Sequence, residues 1–231
     1  MARSLGRALA FISLPLVVAC GQRVTEPRAA APEANAATVM VTSSDDHTAP
    51  TARATIGKPA PDFTLTDTSG RRFRLADQKG KIVVLEWFNP DCPFVRRAHE
   101  KGSLKGYASA KEREGVVWVA INSAAAGNQG HDPARNVAAK KEWGLTHPIL
   151  LDPSGEVGHV YNATNTPHIF VIDANGTLVY GGAIDNSPDA EGESPTSGGL
   201  ENYVESALAA VRAGRRVATA ATKAYGCSVK Y

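Results

Sequence analysis

Cys92 sits where a strand-like run gives way to a helix-like start, a setting that suits a reactive sulfur. Ile82, Val83, Val84 and Leu85 form an apolar, β-branched-rich run, the pattern of a strand buried on both faces. Asn89-Pro90-Asp91 breaks that run, because the residue before a proline is driven toward extended geometry. Pro93 suits the first position of a helix, where an N–H would have no intrahelical partner. Cys92 therefore falls at or beside the helix N-cap, where unpaired amides and the positive end of the helix dipole favour a thiolate over a thiol. Arg96 and Arg97 add positive charge in the same turn, and Asp91 opposes them. The alternative is a cysteine that serves only as a small buried hydrophobe.

The other two cysteines are Cys20 and Cys227. Cys20 ends a leader: Arg3 and Arg7 are basic, residues 8–19 are apolar but too short to span a bilayer, and Val17-Val18-Ala19-Cys20 resembles a bacterial lipobox. The resemblance implies lipidation of Cys20 and a chain held at the membrane of the cell envelope, facing the periplasm. The absence of Asp after Cys20 favours the outer membrane by the same resemblance. An ordinary secretory signal cut near Ala19 is the alternative. With Cys20 assigned to lipid, Cys92 and Cys227 remain, in a compartment that permits a disulfide.

Positioning elements follow from pattern and punctuation. Residues 21–55 are rich in Ala, Thr, Pro and Ser and poor in aromatics, and read as a disordered tether after a signal peptide at 1–20. The domain spans residues 56–214, with a tail at 215–231. Alternation predicts strands at residues 63–66 and 73–75, and buried strands at 116–121 and 148–151. A helix is expected from Cys92 to about Glu114 with Gly102 and Gly106 as weak points, then helices over 133–143, 155–161 and 200–213. Asn175-Gly176 between two alternating runs is a hairpin signal. Residues 122–132 form a small polar loop after a buried strand, a common place for a site. Residues 185–199 are rich in Pro, Gly, Ser and acid and read as an exposed loop. The order argues an α/β domain: a central mixed β-sheet flanked by helices on both faces, in the thioredoxin-like arrangement. A formal net charge of +2 offers no footprint for nucleic acid.

Four pieces in order carry a family resemblance: Gly57-Lys58-Pro59-Ala60-Pro61-Asp62-Phe63; Glu86-Trp87-Phe88-Asn89-Pro90-Asp91-Cys92-Pro93; Thr166-Pro167-His168-Ile169-Phe170-Val171-Ile172-Asp173; and the Asn175-Gly176 hairpin. Residues 56–212 resemble the thioredoxin-fold redoxins of the alkyl hydroperoxide reductase/thiol-specific antioxidant group. The closing Gly226-Cys227-Ser228-Val229-Lys230-Tyr231 resembles the tail of a peroxiredoxin-like subgroup. The resemblance implies that Cys92 is the attacking cysteine and that Pro167 is cis, with Pro93, Thr166 and Pro167 on the substrate side. Val95 stands where a two-cysteine motif would have its second cysteine. Glu86 matches a buried acid that would have a raised pKa and relay a proton; the alternative is a carboxylate solvated at a strand end. Peroxiredoxins proper carry a threonine and a proline where this chain has Asn89 and Leu85; Asn89 retains a hydrogen-bond donor for a peroxide oxygen.

The expected function is a membrane-tethered thiol oxidoreductase in which Cys92 attacks a hydroperoxide or a disulfide, with a thiol as electron donor and no cofactor, metal or nucleic acid. Cys227 is the candidate partner for a disulfide with Cys92, within or between chains. Rival readings are a thiol–disulfide exchange protein acting on envelope proteins, a copper-handling lipoprotein using Cys92 with His99 or His168, and an interaction module without chemistry. His168 itself reads more readily as a satisfied strand histidine.

Overall fold

A computed structural model describes residues 52–231 of the chain. The leader with Cys20, and the tether as far as residue 51, lie outside the described residues. Seven strands form one mixed sheet in the order β2-β1-β5-β4-β3-β7-β8. In chain order they are β1 (Thr64–Asp67), β2 (Arg72–Arg74), β3 (Val83–Trp87), β4 (Val117–Asn122), β5 (Ile149–Leu151), β7 (His168–Ile172) and β8 (Leu178–Gly182). A separate two-stranded ladder pairs β6 (Asn165–Thr166) with β9 (Cys227–Ser228). The helices are α1 (Pro93–Glu100), α2 (Tyr107–Arg113), α3 (Pro133–Glu142), α4 (Glu156–Tyr161) and α5 (Tyr203–Arg212). The fold is thioredoxin-like, as the sequence pattern predicts.

β3 is central because it is buried along its whole length, parallel to β4 on one side and antiparallel to β7 on the other. Its alternation divides the core. Val83, Leu85 and Trp87 face a cluster with Val157 and Tyr161 of α4. Val84 faces Ala98 of α1, Ala108 of α2 and Val204, Ala207 and Leu208 of α5. Phe88, just past the strand, packs with Val95 of α1 and Ala139 of α3. Each fully buried aliphatic side chain contributes about 1.5–3 kcal/mol by leaving water.

Two expectations are corrected. The predicted long helix is two helices: α1 ends at Glu100, and a Cβ on Gly102 would lie 2.0 Å from the Ala190 carbonyl oxygen, so the loop from residue 185 packs directly into the break. That loop is not wholly exposed, because Asp185, Ser187 and Ala190 are buried. Residues 215–231 bridge to β8 between Gly181 and Ala221 and then add β9 to β6.

Candidate redox site

Trp87 ends β3 with its indole N–H on Ser123 Oγ at 3.0 Å, and the Phe88 N–H continues the sheet to the Ile121 carbonyl at 2.8 Å. Asn89 then turns the chain. Its Oδ1 accepts the Asp91 N–H at 2.9 Å and its Nδ2 donates to the Gln129 carbonyl at 2.9 Å. Arg135 of α3 holds the same turn, from Nε to Asp91 Oδ1 and from a terminal nitrogen to the Pro90 carbonyl, both at 2.9 Å.

Cys92 emerges as the N-cap of α1, with Pro93 in the first turn, as the sequence predicts. It is 1% exposed. Its sulfur makes no capping bond; Sγ lies 3.1 Å from the Thr166 carbonyl oxygen, a thiol-to-carbonyl contact. The Thr166–Pro167 bond is cis, as the resemblance implied. Val95 is fully buried in the cluster that holds Cys92.

β9 brings in the second sulfur. Cys227 stands opposite Thr166 in the antiparallel register, and its side chain packs against the cluster that holds Cys92. Both cysteines are free thiols. The N-cap side chain of Cys92 turns toward β6 instead of over the helix end. Burial first, and then the neighbouring Cys92 side chain, push the Cys227 thiol up to about 11, against the pull of Lys230 and the Phe94 amide.

Glu86 departs from its expected role. It is fully buried on β3, with Oε1 2.8 Å from His99 Nε2 and Oε2 accepting the Trp118 indole N–H at 3.1 Å. Burial pushes its carboxyl up, but the charge and hydrogen bond of His99, the charge of His147 and the Trp118 bond outweigh it. The carboxyl sits below its usual value, not above it. His99 lies two helical turns beyond Cys92, about 10 Å along the α1 axis. Its ring also stacks on Trp143, with centroids 5.6 Å apart. His147 sits 6.5 Å from His99 with neither ring nitrogen partnered, and burial pushes it down to about 3.

His168 stacks on Phe170 at 4.4 Å and accepts the Thr164 N–H at 3.3 Å; burial lowers it to about 4. It is the strand histidine the sequence favoured. Among the described residues no group of three or more His, Cys, Asp or Glu side chains is arranged to hold a metal ion. A cleft of about 160 Å³ between Pro90, Asp91, Cys92, Pro93, Arg96 and Arg135 opens onto Cys92. A larger cleft of about 350 Å³, which includes Pro59, Leu75, Lys81 and Asn175, lies at the other end of β3 and has no cysteine or histidine.

The Redoxin family model covers residues 55–196. The chain belongs to the Redoxin family. Among curated proteins, the thiol-disulfide oxidoreductase ResA of Geobacillus thermodenitrificans is 35% identical over 124 residues, 53% of this chain and 66% of that protein. The match thus spans slightly less than two thirds of that relative. Among solved structures, a hypothetical protein of Sinorhizobium meliloti 1021 has a TM-score of 0.67 and 29% identity, covering 80% of this chain and 98% of its own. An uncharacterized conserved protein of Geobacillus kaustophilus has a TM-score of 0.63 and 32% identity, covering 77% and 92%.

The part of this redoxin that sequence reasoning missed is how the tail reaches the site. One signal was available: Tyr225, Cys227, Val229 and Tyr231 alternate at a strand's period of two. The His99 partner of Glu86 was not legible, because it depends on how α1 crosses β3.

Proposed function

We propose that this redoxin is a thiol–disulfide oxidoreductase whose redox pair is Cys92 and Cys227. The observation that carries this reading is the Thr166–Cys227 register, which packs Cys227 against the cluster of Cys92, whose sulfur lies 3.1 Å from the carbonyl of that same Thr166.

The Cys92 sulfur attacks one sulfur of a substrate disulfide. That S–S bond breaks, the second substrate sulfur leaves as a thiolate and takes up a proton, and Cys92 is left in a mixed disulfide. Cys227 then loses its proton and attacks the Cys92 sulfur, releasing the first substrate thiol. Two electrons have passed to the substrate, and a Cys92–Cys227 disulfide remains for an external thiol donor to reduce. The environment of Cys227 suits this order. One influence raising the Cys227 thiol is the neighbouring Cys92 side chain, which the first exchange converts to a disulfide. Lys230 and the Phe94 amide remain to favour the Cys227 thiolate.

Asn89 is assigned a positioning role for the turn that presents Cys92. Its Oδ1 and one N–H of its amide are engaged in holding that turn. Glu86 is assigned to hold α1 against β3. The lipobox-like leader supports attachment through Cys20 to an envelope membrane, facing the periplasm. No helix among the described residues is long and apolar enough to cross a bilayer.

Peptide mapping after treatment with a disulfide substrate tests the reading. The expected product is a cross-linked pair of peptides carrying Cys92 and Cys227. Oxidation that leaves the two in separate peptides, or turnover that survives Cys92→Ser, overturns it.

A further inference from the structure

The tail does more than deliver a sulfur. It lies along β6 as an added antiparallel strand, with Asn165 opposite Ser228 and Thr166 opposite Cys227. The Val229 N–H extends the pairing to the Thr164 carbonyl at 3.1 Å, and Asn165 Nδ2 holds the Gly226 carbonyl at 3.0 Å. The end of the tail is docked separately. Tyr231 stacks on His159 with ring centroids 3.9 Å apart and donates its hydroxyl to the Ala163 carbonyl at 2.7 Å. Its ring fills a notch that exists because Gly155 and Gly158 lack side chains; a Cβ on either would lie within 2.6 Å of it. The polar loop before α3 clamps the backbone: the Ala125 N–H and Asn128 Nδ2 reach the Lys230 carbonyl at 2.8 and 3.1 Å, and the same Nδ2 reaches the Tyr231 carbonyl at 3.0 Å.

We infer that residues 226–231 are a tethered stand-in for a polypeptide, seated in a strand-binding groove along β6 that accepts a cysteinyl segment only when glycine precedes the cysteine. The inference rests on the redox reading above and adds the substrate class and its selectivity. The glycine requirement is geometric. Gly226 has φ +105°, and a Cβ there would lie 2.2 Å from the Thr166 carbonyl oxygen, which also faces the Cys92 sulfur, and 3.3 Å from Phe94 Cβ. Pairing along a strand edge supplies affinity through the main chain, and the close approach supplies selectivity. With the tail seated, Cys92 is reached through the 160 Å³ cleft beside Arg96 and Arg135. That is about half the smallest volume usual for a ligand pocket, about 300 Å³, and the tail occupies the strand edge that an extended chain would pair with. A polypeptide must displace the tail, whose tether gives it an effective concentration on the order of millimolar.

The test uses the full chain and two variants of the tail, Tyr231→Ala and Gly226→Ala, both on the tail side, so that the groove that receives the probe is unaltered. The probe is a fluorescein-labelled synthetic peptide of residues 224–231 with serine in place of its cysteine, read by anisotropy, which needs no redox chemistry. Both variants should bind it at least about tenfold more tightly than the native chain, and an otherwise identical peptide with alanine for the glycine should bind at least about tenfold more weakly. Equal binding by native and variant chains, or equal binding of the two peptides, overturns the inference. The reaction of Cys92 with a small aromatic disulfide, followed in parallel, should change less than about threefold in the variants. Loss of that reaction in the native chain would instead overturn the redox reading, while anisotropy would still report on the groove.

Discussion

Thr166 and Cys227 are cross-strand partners, and the carbonyl of the first lies 3.1 Å from the Cys92 sulfur. The ladder, not the loop that carries Cys92, therefore decides which thiol meets it. With Cys227→Ser the first exchange should proceed within about threefold of its native rate, while turnover falls at least about a hundredfold because the mixed disulfide on Cys92 has no resolving partner. Intact-mass spectrometry of the quenched reaction should show one substrate half attached to the protein.

Gly226→Ala places a methyl group against the Thr166 carbonyl at a backbone φ that side chains rarely adopt. The strain should cost about 1–3 kcal/mol, and the β6–β9 ladder should give way before the core does. Hydrogen exchange should increase at Ser228 and Val229, and formation of the Cys92–Cys227 disulfide should slow.

Glu86→Gln breaks a pair whose members are both almost wholly buried. Removing one partner from such a pair typically costs about 3–5 kcal/mol, measurable by urea unfolding at pH 7. The Glu86 carboxyl is held below its usual value in the fold. Its stabilisation is therefore present above the unfolded carboxyl value of about 4.3 and is lost as pH falls through the folded value. The gap between native and variant should narrow at low pH.

His147 gives the opposite kind of pH dependence. It is buried without hydrogen bonds from its ring, faces Glu86, His99 and Lys140, and is lowered from 6.5 to about 3. It is neutral in both states at high pH. Below pH 6.5 only the unfolded chain takes up the proton, so stability falls until the folded value near 3 is reached. Between pH 7 and pH 5 this histidine should remove about 2 kcal/mol. His147→Leu should abolish that share, and unfolding curves at the two pH values would show it. His168, lowered to about 4, keeps its own similar share in the variant.

The strand, turn and helix around Cys92 were legible because each step has local punctuation: a β-branched run, Asn-Pro, then a proline in the first helical turn. The Asn175-Gly176 hairpin between β7 and β8 was legible for the same reason. What stayed hidden depends on contacts across long stretches of chain. Glu86 matched the position of a proton-relaying acid, but a helix crossing at His99 makes it a paired carboxylate. Asn89 offered an amide in sequence, and the loop at Gln129 takes it up. The break between α1 and α2 was visible at Gly102 only as a weak point, because the carbonyl that requires a glycine there belongs to Ala190.

The β6–β9 ladder joins two sulfurs separated by about 135 residues of chain. A covalent bond across that span would restrict the unfolded ensemble far more than the folded one, by about 4–5 kcal/mol on the loop-closure estimate. Heat resistance should then report electron count: the oxidised chain should melt several degrees above the reduced one, and a calorimeter would read the state of the pair without any chemical label.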